Sequence, residues 1–119
     1  MTTAIAEGVD AWLLRNREVV IGWRHYLHSH PELSNEEVET TDYIMRVLTE
    51  HGLEPVRFPG TGCYVDIGPK SGERLAFRAD IDALRVPEQT GLDFASVVPG
   101  VSHACGHDVH TTVVLCLLY

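Results

Sequence analysis

The spacing of apolar residues changes once along the chain, and this change constrains the fold more than any other feature. Residues 4–28 contain no proline, and their apolar side chains recur at intervals of three and four, which predicts a helix. A second helix is predicted over residues 36–51, with Val38, Thr41, Met45 and Leu48 on one face. Beyond Gly52 the apolar residues alternate instead, as they do in strands.

Local signals predict where these two helices begin and end. Pro31 ends the first helix, because the residue before a proline is driven out of helical geometry. Ser34 and Glu37 have the spacing of a capping box, in which a hydroxyl and a carboxylate bond the free amides of a helix start. Gly52 supplies the stop of the second helix.

The second half of the chain is predicted to contain short strands and one more helix. Strands are expected over residues 53–58, 63–67 and 75–79, with a turn at 59–62 and a loop-rich stretch over 82–102. An apolar segment from about His110 is expected to be helical. Helices, then strands, then a helix indicate an α/β layered fold.

Composition excludes several classes of function. Seventeen acidic and nine basic residues give a formal charge of -8, which argues against a nucleic-acid surface and an anionic membrane as partners. No apolar run is long enough to span a bilayer, and the start of the chain lacks the pattern of a secretion signal. The three cysteines form neither an even disulfide set nor a C-x-x-C motif. A cytoplasmic protein with reduced thiols is therefore expected.

Residues 103–110 form the densest group of metal-binding side chains, with three imidazoles, one thiol and one carboxylate. Cys105 and His107 lie two residues apart and would point to the same side of an extended segment. His107 and His110 would share a face if the helix has begun. Asp108 could orient a ligating imidazole. A lone loop histidine is more often structural, but such clusters of cysteine and histidine rarely occur without a binding role.

Asp80 and Asp82 form a second, weaker candidate site. Two carboxylates at positions i and i+2 would follow a predicted strand, where α/β sheets place their binding sites. The alternative is a solvated strand end. For His28, an ordered turn between the two helices is favoured over a role in the site, because Pro31 follows it closely.

Taken together, the motifs resemble one known family. They are residues 27–34 (LHSHPELS), 60–62 (GTG), 78–84 (RADIDAL), 88–92 (EQTGL), 94–96 (FAS), 99–101 (PGV), 103–108 (HACGHD) and 110–111 (HT). In this order they resemble the amino-terminal part of the aminoacylase, hippurate hydrolase and indoleacetyl-amino-acid hydrolase family of metal-dependent amidohydrolases. Arg85 stands where that family more usually has proline.

The resemblance implies a partial zinc-peptidase-like α/β catalytic domain, whose dimerising lid domain is absent from this sequence. Cys105 and His107 match metal ligands, Asp80 matches an aspartate next to the site, and Asp108 and His110 lie close by. The family site holds two divalent ions, for which zinc or manganese is expected, and nickel also suits thiolate and imidazole. The implied reaction is hydrolysis of an N-acyl amino acid, or a small peptide-like substrate, by a metal-activated water.

The same resemblance predicts that residues 1–119 are one incomplete part of that domain. The family's general-base glutamate and its remaining ligands lie downstream, so no catalytic base is expected here and the chain alone should be inactive. The apolar run that ends at Tyr119 without a polar cap agrees with this expectation. Self-association, or pairing with the missing remainder, would cover that run. The alternative is a non-catalytic metal-binding or assembly module.

Overall fold

The computed structural model describes residues 2–118, and Tyr119, the end of the apolar run, lies outside them. Helix α1 spans Thr2–Ser29, helix α2 spans Val38–Glu50 and helix α3 spans His107–Leu115, followed by a short 3-10 helix at Cys116–Leu118. Strands β1 (Val56–Arg57) and β2 (Cys63–Tyr64) lie between α2 and α3. The mixed α/β class and the predicted order of helices, strands and helix are confirmed.

The hydrophobic core lies where the three helices meet. Its buried side chains come from all three: Trp23, Leu27, Ile44, Val47, Leu48 and Leu115. Tyr26 of α1 and Tyr43 of α2 stack beside it with their ring centroids 3.9 Å apart. Burying such side chains contributes about 1.5–3 kcal/mol each, so this contact holds α3 against α1.

The start of α2 differs from the predicted capping box. Helix α1 ends at Ser29, as Pro31 indicated, but the cap of α2 is Glu37 and it makes no side-chain capping bond. The carboxylate of Glu32 accepts the backbone N–H groups of Glu39 at 3.2 Å and Thr40 at 2.6 Å. The predicted Ser34 cap is therefore wrong, because the chain between the helices folds back and brings Glu32 over the helix end.

The predicted strands are shorter than expected, and one is absent from residues 2–118. Strands β1 and β2 form a two-stranded antiparallel pair in which Val56 faces Tyr64. Residues 75–79 do not form a strand, and the side chains of Leu75 and Phe77 are 89% and 66% exposed. A strand requires a neighbour for its backbone groups, and the part of the chain that is described offers residues 75–79 none.

Two isolated backbone bridges position the segments that carry the site motifs. The Ala83 N–H donates to the Glu32 carbonyl at 2.7 Å, in a parallel bridge of Leu33 with Ala83. Leu84 and Ser102 exchange two backbone hydrogen bonds of 3.0 Å. The segment after Asp82 is thereby held between the turn that follows α1 and the segment that leads into α3.

Candidate metal-binding site

The candidate site begins where the chain turns into α3. Gly106 caps the start of this helix with φ 85°, a left-handed backbone conformation that residues other than glycine rarely adopt. This turn allows Cys105 to precede the helix as an exposed thiol while His107 opens the first turn.

The imidazole of His107 is held by Asp82. Its Nδ1 lies 2.9 Å from both the backbone carbonyl oxygen and Oδ1 of Asp82. Both acceptors favour an Nδ1–H tautomer, and Nε2 is then the nitrogen that would bind a metal. Metal-ligating histidines commonly use their second nitrogen for such a bond to a carboxylate or carbonyl.

The other predicted residues lie at different distances from this contact. The exposed ring of His110 approaches that of His107, with centroids 5.9 Å apart. The carboxylate of Asp80 is half exposed and accepts a hydrogen bond from Arg78 at 2.6 Å. The backbone carbonyl of Asp80 accepts a hydrogen bond from the Thr111 hydroxyl of α3 at 3.2 Å.

Asp108 faces away from the candidate ligands and into the interior. Its side chain is 1% exposed, and Oδ2 accepts hydrogen bonds from Arg24 Nε at 3.0 Å and from His28 Nδ1 at 2.7 Å. Both partners belong to α1. Asp82, rather than Asp108, is therefore the carboxylate that contacts His107.

His28 extends this network to a third segment. Its Nε2 lies 2.7 Å from Oε1 of Glu88. The other Glu88 oxygen accepts the Ser96 N–H at 2.5 Å, and the Thr90 hydroxyl donates to Oε1 at 2.7 Å. Four charged or chargeable side chains thus form one continuous chain of hydrogen bonds: Arg24, Asp108, His28 and Glu88.

These contacts shift the acidities of both carboxylates in the network. Desolvation alone would raise the pKa of Glu88, but the bonds from His28, Ser96 and Thr90 outweigh it and lower the pKa from 4.5 to about 2. Desolvation likewise opposes the shift at Asp108, whose pKa is lowered by the hydrogen bonds from His28 and from the Val109 backbone N–H. Both carboxylates are therefore ionised at neutral pH.

The lowered pKa of Glu88 predicts a specific loss of stability in acid. A carboxylate with a depressed folded-state pKa stabilises the fold above its unfolded pKa, and this contribution disappears as pH falls from about 4.5 through about 2. We expect Glu88→Gln to lower the free energy of unfolding at pH 7 by about 1.5–3 kcal/mol, the range for hydrogen bonds to charged groups. Its stability should then change less than that of the unsubstituted chain between pH 5 and 2.

Urea unfolding at a series of pH values measures this difference. Glu73→Gln, at an exposed glutamate, is the matched control and should follow the unsubstituted chain. Parallel curves for the Glu88→Gln and unsubstituted chains across the acid range would contradict the prediction.

His103 is the one buried side chain of residues 3–118 whose polar atoms are left without a hydrogen-bond partner. It is 6% exposed, and neither Nδ1 nor Nε2 has a partner within the described chain. Burial lowers its pKa, which favours the neutral ring. An unsatisfied buried polar group costs about 1–3 kcal/mol.

We therefore expect His103→Leu to leave the free energy of unfolding unchanged or to raise it by up to about 1 kcal/mol, since no hydrogen bond is lost. His28→Leu is the matched control, because His28 is equally buried at 7% exposed but bonds two carboxylates. That substitution should cost at least about 3 kcal/mol, because it leaves buried charge unpaired. Equal losses in the two variants, measured by thermal or urea unfolding, would refute the distinction.

The described residues do not bring together a complete metal site. Among residues 2–118, no three side chains of histidine, cysteine, aspartate or glutamate converge into a group that could hold an ion. The donor chemistry of Cys105 and His107 suits a divalent transition metal, and Asp82 holds His107 in the required tautomer. As for membrane insertion, none of the helices found between residues 2 and 118 combines the length and apolarity needed to cross a bilayer.

Comparison with known proteins then places the chain. Residues 76–119 match the sequence profile of peptidase family M20/M25/M40. The N-acetyl-L-cysteine deacetylase of Bacillus subtilis (strain 168) is 50% identical over 99 residues, which are 81% of this chain and 24% of that protein. The predicted resemblance to the aminoacylase and hippurate hydrolase family of metal-dependent amidohydrolases is confirmed, and the comparisons describe that family as M20.

A solved structure agrees with the M20 resemblance. The dinuclear metal binding M20 peptidase of Bacillus subtilis superimposes with a TM-score of 0.78 at 50% identity, over 82% of this chain and 28% of that one. A Rhodococcus jostii (strain RHA1) protein named as a glutamate–cysteine ligase is 58% identical over 97 residues, 81% of this chain. Those residues are 12% of the length of that protein.

The chain spans 12% to 27% of the length of the first curated relatives that it matches. Asp82, Cys105 and His107 all lie within residues 76–119, the part of this chain that matches the family profile.

Proposed function

We propose that this chain supplies two metal ligands, Cys105 and His107, to the dinuclear centre of an amidohydrolase that cleaves N-acyl amino acids. The observation that carries the proposal is the contact of His107 Nδ1 with Asp82, which leaves Nε2 as the nitrogen available to a metal. Cys105 precedes Gly106 in the sequence, as His107 follows it, and its exposed thiol would provide the second donor as a thiolate.

Relatives support the substrate class and the number of ions. One relative is named as an N-acetyl-L-cysteine deacetylase, and another, from Geobacillus stearothermophilus, as an N-acyl-L-amino acid amidohydrolase. The M20 peptidase of known structure binds two metals. We infer an N-acylated amino acid as substrate and zinc or manganese as the ions, with nickel also compatible with the donors.

Each residue has a separate part in this proposal. The metal centre, when bound, supplies Lewis-acid polarisation of the acyl carbonyl and activation of a water. His107 would donate Nε2, Asp82 would keep the ring in its Nδ1–H tautomer, and Cys105 would donate its thiolate. His110 is proposed to face the substrate side, since it is exposed next to His107. Asp80 would support the site through its backbone bond to Thr111, and Asp108 through its bonds to α1.

A segment-exchange experiment tests this function directly. The matched 99-residue segment of the Bacillus subtilis N-acetyl-L-cysteine deacetylase would be replaced by the corresponding residues of this chain. We expect the exchanged enzyme to hydrolyse N-acetylcysteine and to lose at least about 100-fold in kcat/KM on Cys105→Ser or His107→Gln, more than a supporting residue costs. His30→Gln, at an exposed histidine outside the site, is the control. Full activity in both ligand variants would overturn the proposal.

The general base is proposed to lie outside these residues, so the 119-residue chain alone should not turn over N-acetyl or N-benzoyl amino acids with zinc or manganese present. A glutamate that takes a proton from water must lie within hydrogen-bond reach of it, and the carboxylate that contacts His107 is an aspartate, Asp82. Asp82 is already bonded to His107 and Asp80 to Arg78. Metal-dependent turnover by the purified chain would contradict this part of the proposal.

An assembly role is the second candidate, and exposed apolar side chains favour it. Leu75, Phe77 and Val113 are 89%, 66% and 60% exposed. Exposed apolar side chains of this size can mark contact surfaces, so we propose that the chain self-associates or pairs with further polypeptide. Sedimentation should detect association, and a monodisperse monomer at high concentration would count against it. A cytoplasmic location, consistent with three free cysteines, belongs to the same proposal.

A further inference from the structure

The network around His28 joins three segments that are distant from one another in the sequence. His28 lies in the last turn of α1, Glu88 in the loop between β2 and α3, and Asp108 in the first turn of α3. Each ring nitrogen of His28 lies 2.7 Å from a carboxylate oxygen. One imidazole therefore holds α1, the loop and α3 together.

Hydrogen bonding determines the form of the ring in this arrangement. A carboxylate oxygen only accepts, so a bond at each nitrogen requires an N–H at both, which is the imidazolium form. With Arg24, the ring balances the charges of Asp108 and Glu88. The side chains of His28, Glu88 and Asp108 are 9%, 7% and 1% exposed. Charges this buried are tolerated when they are paired, and removing one partner is costly.

The position of Asp108 connects this network to the candidate ligand. Asp108 follows His107 directly in α3, and successive helix residues project in directions about 100° apart at 3.6 residues per turn. Because Asp108 is bonded to α1 on one side, the preceding His107 is directed toward Asp82 on another. Hydrogen bonds at the consecutive residues His107 and Asp108 thus fix the rotation of the first turn of α3 about its axis.

We propose that His28 is a positioning residue: by bonding Asp108 and Glu88 at once, it fixes the first turn of α3 and so orients the imidazole of His107. His28 does not contact His107. The inference rests on the proposed function, because His107 is a metal ligand there. The orientation itself is a property of the metal-free chain and can be measured without any metal.

Nitrogen-15 NMR of the histidine rings in the full chain tests this orientation. In the unsubstituted chain we expect both ring N–H protons of His28 to be slow to exchange, and the neutral ring of His107 to show the Nδ1–H tautomer alone. His28→Gln should remove the tautomer preference of His107, while the far-ultraviolet circular dichroism spectrum shows that the chain remains folded. His30→Gln, at an exposed histidine between α1 and α2, should leave the tautomer preference of His107 unchanged.

Each result then decides the question. A single Nδ1–H tautomer of His107 that persists in folded His28→Gln would overturn the proposal. If that variant does not fold, Asp108→Asn replaces it, because this substitution keeps the side-chain volume but removes the charge. A single Nδ1–H tautomer of His107 that persists in folded Asp108→Asn would then overturn the proposal. A His28 ring with one fast-exchanging nitrogen in the unsubstituted chain would also overturn it. If instead His107 responds as expected but the chain binds no metal, the proposed function fails and the positioning role of His28 stands.

Discussion

Replacing Asp108 by alanine is expected to lower the free energy of unfolding by about 3–5 kcal/mol, the range for breaking a buried ion pair from one side. The carboxylate is 1% exposed, and its loss leaves Arg24 and His28 without their shared acceptor. Since domains of this size are commonly stable by about 5–15 kcal/mol, this loss would be a large fraction of the total stability.

Asp80→Ala is the matched control for this substitution. Asp80 and Asp108 both occupy motif positions, but the Asp80 side chain is 52% exposed and pairs with Arg78, itself 76% exposed. Exposed ion pairs contribute little, so we expect a change within about 0.5 kcal/mol. Urea unfolding of both variants measures the contrast. Similar losses would show that burial of the Asp108 network does not stabilise the fold.

The second large effect concerns metal affinity. Asp82→Asn keeps the size of the side chain but weakens its hold on the His107 ring, so we expect zinc affinity to fall by about 10- to 100-fold, as for other residues that support metal ligands. His107→Gln should reduce affinity further, because it removes the ligand itself. Competition titration with a zinc-binding dye measures both variants. His110→Gln tests whether His110 is a ligand or only a neighbour of His107. A loss of zinc affinity as large as that of His107→Gln would show that His110 is a ligand too.

The helices were predictable because their signals are local. The apolar spacing, Pro31 and Gly52 all act within one or two turns of the residues that they affect, and α1 and α2 follow them closely. The cap at α2 was not predictable, because Glu32 reaches it only once the connecting turn has folded back. Strand pairing is likewise non-local, so the alternation over residues 75–79 indicated a propensity that no neighbour within residues 2–118 completes.

The candidate site divides in the same way. The cluster at residues 103–110 offered several candidate ligands, and the family resemblance selected Cys105 and His107 among them. Which aspartate faces His107 depends on contacts across the fold, since Asp108 is separated from Arg24 by 84 positions and from His28 by 80. Asp82 carried a sequence signal, as the second carboxylate of the Asp-x-Asp pair. His28 and Glu88 lay in motifs of the family resemblance, but nothing in the sequence indicated that they meet.

The central proposal is that Cys105 is a metal ligand, and cobalt titration of the purified chain tests it most directly. Thiolate bound to Co²⁺ gives a charge-transfer absorption, and two of the three free cysteines, Cys63 and Cys116, serve as internal controls. Burial raises the pKa of Cys63 and Cys116, which disfavours their thiolates, whereas Cys105 is exposed. We predict an absorption band that disappears in Cys105→Ser and persists in Cys63→Ser and Cys116→Ser. A band that survives in Cys105→Ser, or no band in the unsubstituted chain, would contradict the proposal.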